Sequence, residues 1–321
     1  MTRRSKDTIR KAAIVAAGVA MIASLAILTS ARIQSRFVES QSGSALVFID
    51  KYADEPLRAE FTAGIDSYTG GFLKAAGLLA EAPIRGPVAF FAADRHYGVI
   101  SANDPLVKRR LSGRPSSDFV LFRSIGSNFY ANELVARSIA SQDGAYVFVN
   151  IDEGWRASLV HAYAHSIAAA NAPAALSPAF VLDQDFDSEM KFSYRFADET
   201  FALLASDLLE LAEDLGSVEQ AWSSFSAATA RRYADPESDV AAREAEIIMA
   251  TYDLPQKSAE FYAACNGFAA WLLNAYGRDA LCAAARTFFS GRYDGLDDPF
   301  IAFGGLEKAV LEWKGDATIP R

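Results

Sequence analysis

Cysteine and histidine are both scarce in this chain of 321 residues, with two of the first, Cys265 and Cys282, and three of the second. So few cysteines exclude a small scaffold built on disulfides. Neither has a histidine near it in sequence, which leaves a thiol nucleophile without a partner. Spacing leaves two readings open for the pair: a bridge between neighbouring helices, or two buried thiols. Proline (11) and glycine (20) are too few for a collagen-like repeat, and 51% hydrophobic with 22% charged residues excludes a disordered chain. No Gly-x-Ser-x-Gly, Gly-x-x-x-x-Gly-Lys-[Ser/Thr] or Gly-x-Gly-x-x-Gly occurs, so serine-hydrolase, P-loop and dinucleotide readings lack a motif. Basic residues are short outside the first forty positions. Residues 1–40 hold seven of the 31 basic and two of the 40 acidic side chains, a net of +5, and the remainder carries 24 and 38, a net of −14. An acidic body without a basic stripe argues against nucleic acid and against docking on anionic lipid.

Only one long hydrophobic run is present. Residues 12–31 are uncharged, and twenty residues of helix at about 1.5 Å each span roughly 30 Å, the thickness of a hydrocarbon core. Five basic residues precede the run, which predicts a single-pass membrane anchor with a cytoplasmic N-terminus and an extracytoplasmic body. The alternative is a cleaved signal peptide, with Thr29 and Ala31 at the −3 and −1 positions and a secreted product. Residues 1–40 are therefore read as a basic stub with an anchor or signal peptide.

Beyond the run, strands come first and helices later. Residues 45–50 (ALVFID), 87–92 (PVAFFA), 119–123 (FVLFR) and 146–151 (YVFVNI) are short apolar runs rich in branched and aromatic residues, as buried strands require. An amphipathic stretch at 56–79 reads as a helix, and 112–118 (SGRPSSD) as a polar loop. From Glu153 the period is helical almost throughout, with stops at Gly216, Gly277 and Gly291 and breaks at Asp235-Pro236 and Leu254-Pro255. This order predicts an α+β fold: a small N-terminal mixed sheet with helices over 41–175, then a mostly helical part over 176–321.

The chemistry concentrates in Leu159-Val160-His161-Ala162-Tyr163-Ala164-His165. Spacing of four on a helix puts both imidazoles on one face, where they can share a tetrahedral metal. Histidine pairs at this spacing also occur on helix faces that bind nothing, and spacing alone does not separate the two. In a zinc hydrolase of the His-Glu-x-x-His type the second residue is the general base; here it is Ala162, which accepts no proton. Ser177-Pro178 reads as an N-cap followed by proline at the first helical position, so another helix should begin there. Asp183-x-Asp185-x-Asp187 fails as a calcium loop, because Ser188 and Tyr194 stand where glycine and glutamate are required. His96, in Asp94-Arg95-His96-Tyr97, reads as a surface histidine.

Several segments resemble the peptidase MA-like domains, the gluzincin-type zinc metallopeptidases. The order of strand, long helix, strand, then a strand leading into the His161 helix is similar to theirs. Residues 176–183 (LSPAFVLD) resemble their Leu-Pro-x-Trp-Leu-x-Glu-Gly segment, with Asp183 at the glutamate. Tyr262 to Gly277 resembles their Tyr-Ala…Phe…Tyr-Gly helix, and Phe300 to Trp313 their closing module, with Phe303-Gly304, Leu306-Glu307 and Trp313 in place. The resemblance implies a zincin-like fold, a Zn2+ ion on His161, His165 and Asp183, and Tyr262 as a donor to an oxyanion. Because alanine stands at the base, the expected function is a membrane-anchored, extracytoplasmic pseudo-peptidase that binds a peptide or envelope protein without cutting it. Two alternatives remain: an active but atypical zinc metallopeptidase with another carboxylate (Asp185 or Glu189) as base, and a non-catalytic structural or assembly protein of the envelope.

Overall fold

A computed structural model describes residues 35–42, 45–80, 88–93, 104–111, 136–141, 144–151, 154–173, 188–234 and 259–318. The predicted anchor at 12–31, the strand at 119–123, His96, Asp183, Asp185 and both proline breaks lie outside them. Among the described residues no helix is long and apolar enough to cross a membrane.

The chain is α+β. Strands β1 (Phe37–Ser42), β2 (Ala45–Asp50), β3 (Val88–Ala93), β4 (Ala136–Ser141) and β5 (Gly144–Asn150) form one mixed sheet in the order β1-β2-β3-β5-β4. The three middle strands run parallel, and β1 and β4 pair antiparallel at the two edges. Parallel strands are covered on both faces, which explains why β2, β3 and β5 read as unbroken apolar runs rather than alternating ones. One face carries the ladder Phe48, Phe91, Phe148, with ring centroids 4.9 Å apart at each step. The other presents Val47, Ile49, Phe90, Ala92, Val147 and Val149 to a helix.

Helix α1 (Glu55–Asp66) passes through a π-helical turn at Ser67–Gly71 into the short α2 (Phe72–Ala75), so the single predicted helix is present but kinked. Pro105–Leu111 forms α3. The helical half comprises α4 (Trp155–Asn171), α5 (Ser188–Leu215), α6 (Val218–Ala234), α7 (Ala259–Tyr276), α8 (Arg278–Ser290) and α9 (Leu306–Thr318), with a 3-10 turn at Asp298–Phe303. The predicted stop residues Gly216, Gly277 and Gly291 all have positive φ. At Gly291 the requirement is also steric: a Cβ there would meet the backbone oxygen of Asn171 at 1.6 Å. The ends of α4 and α8 thus touch, and the Asn171 amide donates to the Phe289 carbonyl at 2.8 Å.

Helix α4 is the hinge pin of the packing because it is buried on two sides. Trp155, Leu159 and Ala162 join the sheet cluster, and Val160, Ala164, Ile167 and Ala168 join the helical cluster built around Phe196, Phe201, Phe268, Phe288 and Trp313. A narrow, partly exposed stripe remains on α4 at Ser158, His161, His165 and Ala169, spaced three, four and four apart. At its start, Arg156 pairs with Glu60 of α1 and, at 3.5 Å, with Glu213 of α5, while its guanidinium lies 5.4 Å from the rings of Trp155 and Tyr68.

Cys265 and Cys282 are buried free thiols, so of the two readings left open the unbridged one holds. Burial raises both thiol pKa values, making them poor nucleophiles. Thiol titration is expected to find both cysteines only after denaturation, and reductant is expected to leave the unfolding midpoint unchanged.

Candidate metal centre

His161 and His165 lie on the open stripe of α4, and α5 crosses that stripe with Asp198 and Glu199. The two helices run in opposite directions, since Arg156 at the start of α4 meets Glu213 near the end of α5. Three donor atoms converge. His161 Nε2 and His165 Nε2 are 3.0 Å apart, and Glu199 Oε2 lies 3.5 Å from the first and 3.4 Å from the second. A tetrahedral zinc with bonds of about 2.0–2.1 Å has ligand atoms about 3.3–3.4 Å apart. The three observed separations bracket that edge.

Burial strengthens the fit. Glu199 is 6% exposed, yet its Oε2 accepts no hydrogen bond of ordinary length. A buried carboxylate oxygen without a donor is costly unless a cation takes that role. The imidazole side is arranged for the same purpose. His165 Nδ1 lies 2.8 Å from Asp198 Oδ2, and with the proton assigned to Nδ1 that bond turns the Nε2 lone pair toward Glu199 and His161. Among the described residues, His161, His165 and Glu199 are a set that can hold a metal ion. The donor chemistry, two imidazoles and one carboxylate, suits zinc.

Sequence reasoning placed the third ligand at Asp183, which lies outside the described residues; the structure puts Glu199, 34 residues after His165, at the third corner. Ala162 is 1% exposed and belongs to the sheet cluster, turned away from the imidazoles. Tyr262 stands in the first turn and a half of α7, half-buried, where α7 meets α5 through Phe196 and Phe261 at 6.4 Å. Burial first, and then the Glu199 charge, raise its phenol pKa, so it stays protonated in the neutral range within electrostatic reach of Glu199. Glu189, one of the carboxylates weighed as a substitute base, opens α5.

The electrostatics follow from the same contacts. Burial alone would lower the His165 pKa, but Asp198 and Glu199 outweigh it and hold it well above the ordinary 6.5. Burial alone would raise Glu199, yet the two histidines drive it far below 4.5. Without metal, then, an imidazolium sits between two carboxylates. Because the folded His165 value is raised, its contribution to stability is full below about pH 6.5 and is lost as pH climbs through the raised value. The lowered Glu199 value acts oppositely, contributing above about pH 4.5 and fading in acid. Metal-free protein is expected to be most stable between these limits, with an unfolding midpoint that falls as pH rises above 6.5. Zinc affinity is expected to rise over the same range, since the metal displaces the His165 proton. Unfolding midpoints and zinc titrations at several pH values check both signs.

No family model, no curated protein and no solved structure matches this chain.

Proposed function

We propose that this chain is a zincin-like pseudo-peptidase that holds zinc on His161, His165 and Glu199 and binds an extended peptide or protein segment without hydrolysing it. The observation that carries the reading is the convergence of three metal-ligating side chains at tetrahedral spacing on a helix whose second motif position, Ala162, is a core alanine turned away from them. Bound zinc supplies Lewis acidity toward a ligand carbonyl. The chain's own residues do the rest: Asp198 keeps a proton on His165 Nδ1, Tyr262 offers a phenol proton to a ligand oxygen, and no carboxylate stands at Ala162 to take one. Strand β4 pairs only with β5 among the described residues, and such an edge offers backbone groups to an extended segment. The body acts outside the cytoplasm behind the anchor at 12–31.

One observation favours an active, atypical zinc metallopeptidase as a second reading. Asp207 of α5 is a mostly buried carboxyl whose pKa burial raises, within electrostatic reach of His161, and it accepts from Asn266 Nδ2 at 2.5 Å. Incubating zinc-loaded protein with a mixed-sequence peptide library separates the readings. The proposal expects peptide retention without cleavage; zinc-dependent cleavage that disappears in Asp207→Asn would establish the second.

A further inference from the structure

Two buried carboxylates grip Ser35 and Arg36, immediately before β1. Asp50, the last residue of β2, has no exposed surface, and Asp104, just before α3, is 6% exposed. Asp104 Oδ1 accepts the Ser35 hydroxyl at 2.7 Å and the Leu106 N–H at 2.9 Å, and its Oδ2 accepts the Arg36 N–H at 2.8 Å. Asp50 Oδ2 takes the Arg36 guanidinium through Nε at 2.7 Å and Nη2 at 2.5 Å. The Lys51 N–H donates to the Arg36 carbonyl at 2.9 Å, closing the grip from the end of β2. Buried carboxylates are costly unless well paired, so these contacts firmly fix the direction in which the chain enters β1. Only residues 32–34 separate the grip from the uncharged run at 12–31. Four extended steps from Ala31 to Ser35 reach at most about 14 Å. An anchor at 12–31 therefore leaves the body no room to lift off its bilayer.

The side of the body that faces the bilayer follows from the sheet. Phe37 pairs with Asp50 across antiparallel β1 and β2, so β1 starts at the end where parallel β2, β3 and β5 finish. The surface there suits a headgroup layer. Tyr52 is 65% exposed, with the Lys51 ammonium 5.1 Å and the Arg36 guanidinium 6.0 Å from its ring. An aromatic ring with a polar tip beside long cationic side chains is the chemistry of a membrane–water interface. We propose that this end of the sheet rests on the phospholipid headgroups of the bilayer crossed by residues 12–31, with Tyr52 and Lys51 as its contacts. Exposed Asp54 and Glu55 follow directly, so net charge does not drive the contact; the short tether does. The inference rests on the anchor reading and is independent of zinc. It also places the candidate centre: α4 starts five residues after β5 ends, and His161 lies six residues, about 9 Å, further along, which holds the centre close to the bilayer.

The test uses the full chain reconstituted in phosphatidylcholine vesicles. Cys265 and Cys282 are buried, so a single introduced cysteine takes a fluorophore in the native protein. Tyr52→Cys and Lys51→Cys report on the proposed face, and Ser42→Cys reports from the other end of β1, five residues or about 17 Å away. With a contact quencher attached to the lipid headgroups, labels at 51 and 52 are expected to be quenched at least about threefold more than the label at 42, which stands a strand's length away. The difference is expected to persist in about 1 M salt, where charges are screened beyond roughly 3 Å. Equal quenching at all three positions in vesicle-bound protein overturns the proposal and leaves the anchor standing. Release of the unsubstituted chain from the vesicles by an alkaline wash overturns the anchor reading, and the membrane-facing surface with it.

Discussion

Ala162→Glu is expected to cost roughly 3 kcal/mol or more of folding stability and to produce no zinc-dependent cleavage. Restoring the glutamate of the His-Glu-x-x-His pattern would look from sequence like repair. The surroundings argue otherwise. Ala162 belongs to the sheet-facing core cluster with Phe90, Val147, Val149, Trp155 and Leu159, with no cation among them. A carboxylate there must either ionise unpaired or stay protonated, and either way the sheet–helix core must open to admit its volume. Denaturant unfolding of the variant measures the cost. A variant as stable as the parent that cleaves peptides would mean that position 162 faces the centre after all.

The second large effect concerns the ligands. His161→Ala, His165→Ala and Glu199→Gln are each expected to weaken zinc binding by about 100-fold or more, since even outer-shell partners are worth about 10–100-fold. Asp198→Asn should fall within that outer-shell range. Asp183→Ala distinguishes the two assignments of the third corner: with Glu199 there, affinity stays within a few-fold of the parent. Competition against a chelator of known affinity reads all five variants on one scale. Equal losses in Asp183→Ala and none in Glu199→Gln would return the third corner to Asp183.

Much of the fold was legible because apolar periodicity is local. The runs at 45–50, 87–92 and 146–151 became β2, β3 and β5, and the helical period after Glu153 became α4 onward. The edge strands β1 and β4 escaped notice because FVESQS and ARSIAS carry too few branched or aromatic residues to stand out; pairing with a neighbour makes them strands. At the centre, His161 and His165 were readable from their spacing, a helical regularity. Glu199 was not, because it meets them across two helices. A signal was nevertheless present: Phe196-Ala197-Asp198-Glu199-Thr200-Phe201-Ala202 sets an acidic pair inside an apolar stretch of helix, and carboxylates so placed must find a cation or a donor. The resemblance to a known ligand segment drew attention to Asp183 instead.

The most direct measurement is the zinc content of the full chain after zinc loading and exhaustive dialysis, beside His161→Ala treated identically. Two imidazoles and a buried carboxylate gathered at tetrahedral spacing predict about one zinc per chain in the parent and nearly none in the variant. A content far below one, unaltered by the substitution, would contradict the metal centre and with it the peptidase-derived reading of this protein.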